Sequence, residues 1–126
     1  MFAQSTAAHA AYSRPEAPHR TQRDLEYDLL ARATKALSRA AEQRNENFPA
    51  LVAALEENQR LWSTLAADVA EPENGLPARL RAQLFYLYEF TAQHSAAVRD
   101  HQASINVLID INTAVMRGLR GQGAAP

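Results

Sequence analysis

Leu51, Leu55, Asn58, Trp62, Leu65 and Val69 follow one another at alternating spacings of four and three residues, with Val52 and Leu61 widening the stripe. That period predicts an amphipathic helix with one face turned to a core. Asn47 or Phe48 takes the cap position, and Pro49 stands where its missing N–H costs nothing. Glu71-Pro72 ends the helix, and Asn74-Gly75 supplies a turn able to reach positive φ before Pro77 starts the next helix. A connection of about six residues returns the chain antiparallel. The next helix, Pro77 to about Val98, carries Leu80, Leu84, Leu87, Thr91 and Val98 on its inward stripe. The hairpin brings Leu65 and Val69 near Leu80 and Leu84, and Trp62 near Leu87.

Two more amphipathic stretches flank this hairpin. Upstream, Thr21 and Asp24 resemble a capping box with Asp in place of Glu. After them Leu25, Leu29, Ala33, Ala36, Leu37 and Ala40 line one face, with Tyr27 and Leu30 beside it, until the pattern dissolves in Glu42 to Asn47. Arg32, Lys35 and Arg39 form a basic stripe opposite, the pattern of a solvated helix face or of a partner or RNA contact. Downstream, Ser104 is placed to cap a last helix whose stripe is Ile105, Leu108, Asn112, Val115 and Leu119, flanked by Ile109, Ile111 and Met116. The expected fold is all-α, a small antiparallel helical bundle of four main helices plus a short N-terminal helix. Residues 1–19 form that short helix (Phe2 to about Ser13) and a proline linker, residues 20–119 the bundle, and residues 120–126 a disordered tail.

Polar residues interrupt two of the stripes. Asn58 and Asn112 fall where aliphatic side chains are expected, so each is a buried amide that fixes helix register or a group kept for a ligand. Pairing with each other across the core would satisfy both. A buried Trp62 needs a carbonyl or an Asn side chain for its indole N–H. Phe85, Tyr86, Tyr88 and Phe90 clothe other faces of their helix, which is therefore either central in the bundle or offers a second apolar face to another chain.

Composition narrows the function. Apolar residues make up 47% of the 126, much of it alanine, and the net charge is −1 with both signs interspersed. No field of one sign exists to hold a phosphate backbone, so no nucleic-acid partner is expected. Cysteine is absent, which removes disulfides and thiolate metal sites. The first residues lack the charged and apolar regions of a secretory signal, and no run reaches the ~20 apolar residues of a membrane span. A cytoplasmic protein without membrane association is expected.

Catalytic patterns are equally scarce. His9, His19, His94 and His101 lie in separate segments, and the Glu16/His19 pair sits in the proline linker, so no metal or cofactor is expected. Arg60, Arg79 and Arg81 could be offered as an anion pocket of a small all-α enzyme. They do not converge, since Arg79 and Arg81 flank Leu80 on opposite sides. The chain reads as a binding module, not an enzyme.

Longer words in the sequence carry a resemblance. Ala11-Tyr12, Arg23 to Arg32 as RDLEYDLLAR, the Asn58 to Leu84 stretch with its Glu-Pro-Glu-Asn-Gly-Leu-Pro turn, Arg81-Ala-Gln-Leu84, Ser95 with Val98, and LIDINTAVMRGL at Leu108 to Leu119 together resemble the FlaF family of flagellar biosynthesis regulators. The aromatic run FYLYEF at Phe85 to Phe90 is richer than the aliphatic helix expected of that family. The resemblance implies a cytoplasmic protein that binds flagellin before export and works against FlbT, the companion that restrains flagellin translation. On that footing a flagellin terminal helix, amphipathic and aggregation-prone when free, would lie in a groove between the two helices of the central hairpin. Trp62, Tyr86 and Phe90 would be its apolar anchors, and Arg60 and Asn58 its polar selectors. The competing reading is a self-associating adaptor in which the aromatic face closes a homodimer and a partner meets the first long helix.

Overall fold

The four periodic stretches become four helices: α1 (Gln22–Glu42), α2 (Phe48–Ala70), α3 (Ala78–Arg99) and α4 (Asn106–Ala124). The structure, a computed structural model, describes residues 22–43 and 46–124. The expected N-terminal helix, the proline linker and the Thr21 cap lie outside the described residues. α1 packs along α2 and α4, and α2 along α3, whereas α3 and α4 touch only sparsely. The described residues thus form an all-α bundle in which α2 and α4 occupy one diagonal.

Local chemistry sets the helix boundaries. Asn47 Oδ1 accepts from the Ala50 N–H at 3.1 Å, and Pro49 stands in the first turn of α2. The chain leaves α2 through Glu71 in an extended conformation and turns at Gly75, whose φ of 96° is open to glycine and strained for other residues. Asn74 braces that turn: its Oδ1 accepts from the Leu76 N–H at 3.1 Å, and its Nδ2 donates to Asp68 Oδ2 at 2.9 Å. Pro77 is the cap of α3 rather than its first residue.

α3 ends in paired bonds, Gln102 N–H to Ala97 O and His101 N–H to Val98 O. This is a Schellman motif, with His101 at φ 62° where glycine is usual. Ser104 then caps α4, its Oγ accepting from the Asn106 N–H at 3.1 Å.

The core consists of two apolar clusters stacked along the bundle. One holds Leu30, Trp62, Leu65, Val69, Leu76, Leu84, Val115 and Leu119. The other holds Leu37, Ala40, Leu51, Leu55, Val98, Ile105 and Leu108. Each fully enclosed leucine contributes roughly 2 kcal/mol through burial of its apolar surface.

Two features depart from the sequence pattern. α1 is rotated so that Glu26, Leu30, Ala33, Leu37 and Ala40 face inward, which leaves Leu25 and Leu29 on the surface. α4 continues past Leu119 to Ala124, where order was expected to end. Arg120 ties this end to α1, its guanidinium lying 4.9 Å over the Tyr27 ring and donating to the Tyr27 hydroxyl.

Candidate partner-binding surface

Between the two apolar clusters lies a buried polar waist. Asn58 on α2, Thr91 and Ser95 on α3, and Asn112 on α4 are all buried. Trp62 Nε1–H donates to Asn112 Oδ1 at 2.9 Å, and Asn112 Nδ2–H donates to Asn58 Oδ1 at 2.7 Å. A single chain of hydrogen bonds therefore spans the α2–α4 diagonal, and the two asparagines pair as their positions in the stripes predict. Asn58 Nδ2 makes no hydrogen bond to the protein. On α3, the Thr91 hydroxyl donates to the Tyr88 carbonyl at 2.8 Å and Ser95 Oγ donates to Gln59 Oε1 at 3.3 Å.

The waist decides where the five expected partner-binding residues stand. Trp62 and Asn58 have no exposed surface at all, and their polar contacts lie inside the bundle. Neither can meet an incoming helix in this closed fold, because the stripe that places them at helical spacing also turns them into the core. Arg60 is exposed on α2, Tyr86 is the most open of the large apolar side chains among the described residues at 65%, and Phe90 is half-buried. Crossbars from Arg81 Nε to the Val69 carbonyl (2.9 Å) and from Ser95 to Gln59 set the register of the hairpin. Arg60, Tyr86 and Phe90 all fall between those crossbars.

Phe85 is a surface residue that the sequence reading left out of the site. It is exposed beside Tyr86, and its ring meets Tyr88 at 5.7 Å. The signal was available: once Leu84, Thr91 and Val98 define the inward side, a step of 100° per residue turns positions 85 and 86 outward. Phe90 stacks on His94 at 5.3 Å, and His94 Nε2 donates to the Ser104 carbonyl at 2.8 Å. The outer side of α3 thus carries aromatic side chains braced by their neighbours, with Glu89 and Gln93 exposed among them. Such a surface can take an apolar stripe from another chain and offer polar groups at its edge.

Among the described residues no group of three or more His, Asp or Glu is disposed to hold a metal ion, and no helix is long and apolar enough to cross a membrane. The family model described as flagellar protein FlaF matches residues 8–119. The chain belongs to the FlaF family. The FlaF match takes in all of α1, α2 and α3 and runs through α4 to Leu119, so both core clusters, the waist and the aromatic side of α3 fall within it. No curated protein and no solved structure is significantly similar to the chain.

Proposed function

We propose that this FlaF-family protein is a cytoplasmic flagellin-binding protein that shelters an amphipathic flagellin helix against the outer side of α3. In that role it promotes flagellin production and secretion in opposition to FlbT. The observation that carries the reading is the exposure of Phe85 and Tyr86 on a helix whose inward stripe is already filled by Leu84, Thr91 and Val98. Covering two aromatic side chains contributes about 1–3 kcal/mol each when a partner's apolar face encloses them. Arg60 and Phe90 complete the contact, Arg60 as a rim charge that fixes register. Asn58 and Trp62 support it from within by holding α2 and α4 together.

Binding of purified flagellin by the wild type, Tyr86→Ala and Phe85→Ala tests this. The variants should keep their helical circular dichroism and lose roughly tenfold or more in affinity. Unchanged affinity in both folded variants removes flagellin from this surface. The same face could instead close a homodimer. Sedimentation of the wild type as a dimer that Tyr86→Ala dissociates, without any flagellin binding, would favour the adaptor reading.

A further inference from the structure

Glu26 occupies an inward position on α1 and is 6% exposed, while its neighbours Leu25 and Leu29 face solvent. The carboxyl of Asp68 on α2 lies within hydrogen-bonding reach of it. On its own helix Glu26 accepts from Gln22 Nε2 at 3.1 Å and lies 3.5 Å from Arg23 Nη1. Arg23 is divided, because its Nη2 also donates to the Asn74 carbonyl at 3.2 Å. Asn74 in turn holds Asp68 through its side-chain amide. The ring of contacts closes the start of α1 onto the α2–α3 turn and covers the Leu30, Val69 and Leu76 end of the core.

Two cations on the remaining elements are engaged elsewhere. Arg81 of α3 donates to the Val69 carbonyl and Arg120 of α4 lies over Tyr27, while Asp24 and Asp28 beside Glu26 on α1 have interactions of their own.

Two carboxyl groups form a hydrogen bond only when one of them carries a proton. With both ionised, two negative charges at the edge of the core would face one guanidinium that is shared with a carbonyl. We propose that a proton shared between Glu26 and Asp68 latches the first turns of α1 to the α2–α3 turn, so that closure of this end of the bundle is proton-linked. Burial, and beyond it the bond to Asp68, push the Glu26 carboxyl up from 4.5 to about 7 against the opposing pull of Gln22 and Arg23. The closed end therefore takes up a proton that the open end releases, and opening becomes easier as pH rises towards neutrality. Above neutrality the dependence levels off, because neither form then holds the proton.

Amide hydrogen exchange on the full chain between about pH 5 and about pH 8 reads this directly. After correction for the intrinsic rate, the amides at 26–29, whose carbonyl partners lie in the first turn of α1, and those of Asn74 and Leu76 should lose protection about tenfold per pH unit up to about pH 7 and then level off. Amides of the waist should not follow them. Glu26→Gln, which keeps a neutral hydrogen-bonding group, should abolish the slope. Asp68→Asn should narrow its pH window, since the new amide donates to an ionised Glu26. Equal slopes in the wild type and Glu26→Gln would overturn the latch. So would a Glu26 carboxyl carbon that titrates in the wild type near its ordinary 4.5, a measurement independent of whether either variant folds.

Discussion

Replacing Asn112 by leucine should damage the bundle far more than replacing Asn58, although both side chains are fully enclosed. Asn112 is the middle of the chain of hydrogen bonds, accepting from Trp62 and donating to Asn58. Leucine at 112 strands the indole N–H and Asn58 Oδ1 together. Each stranded buried group costs about 1–3 kcal/mol, so the loss is about 2–6 kcal/mol before roughly 1 kcal/mol of apolar gain. Asn58 differs, because its Nδ2 is already without a protein partner. Leucine at 58 strands Asn112 Nδ2 but removes that orphaned donor, and the two effects nearly cancel to leave a cost of about 0–1 kcal/mol.

The double variant sharpens the contrast. Once Asn112 is gone, Asn58 carries only unpaired groups, so adding Asn58→Leu should recover stability by removing two of them, a coupling of about 2–6 kcal/mol. Urea unfolding followed by circular dichroism measures all three variants, with Trp62, the sole tryptophan, as a second probe. Equal losses in the two single variants, or simple additivity in the double, would refute the hydrogen-bond reasoning.

Three further outcomes follow from single positions. His101→Gly should raise stability by about 0.5–1 kcal/mol in a thermal melt, since φ 62° suits glycine and the ring contact with Phe48 that is lost lies near the surface. Gly75→Ala should cost about 1–2 kcal/mol by the same assay. The nearest atom to an added Cβ is Arg23 Nη2 at an ordinary 3.8 Å, so the cost is backbone strain at φ 96° and not collision. Glu26→Gln should stabilise the protein at pH 8 and change little at pH 4. The raised folded-state value means that the wild type loses up to about 3 kcal/mol as pH climbs from 4.5 to about 7, and the amide loses none.

What the sequence made legible was the part that depends on neighbours within one helix. The α2 stripe, the Asn74-Gly75 turn, the asparagine pair and the need of Trp62 for an amide partner all follow from spacing and donor counting. The rotation of α1 was not legible. Leu25 and Leu29 make a better stripe than Glu26 and Leu30 until Asp68, 42 positions further on (68 − 26), is brought alongside the glutamate. The extension of α4 was hidden for the same reason, because Gly118 and Gly121 argue against a helix while Tyr27, far away in sequence, holds Arg120. Asn58 and Trp62 were given two duties by the sequence, core register and partner contact. Burial leaves them only the first.

The bond chain from Trp62 through Asn112 to Asn58 joins α2 to α4 across the bundle without using α3. α1 lies against both of those helices, so α1, α2 and α4 form a unit closed on itself. α3 leans on that unit mainly through α2, by the Arg81 and Ser95 crossbars, and two of its four fully inward residues are the small polar Thr91 and Ser95. It is therefore the helix whose outer side can change company at least cost to the rest. Affinity for flagellin should follow Phe85 and Tyr86, and unfolding free energy should follow Asn112. If Asn112→Leu, measured where it remains folded, lowered flagellin affinity as much as Tyr86→Ala does, α3 would not be the independent platform that these contacts describe.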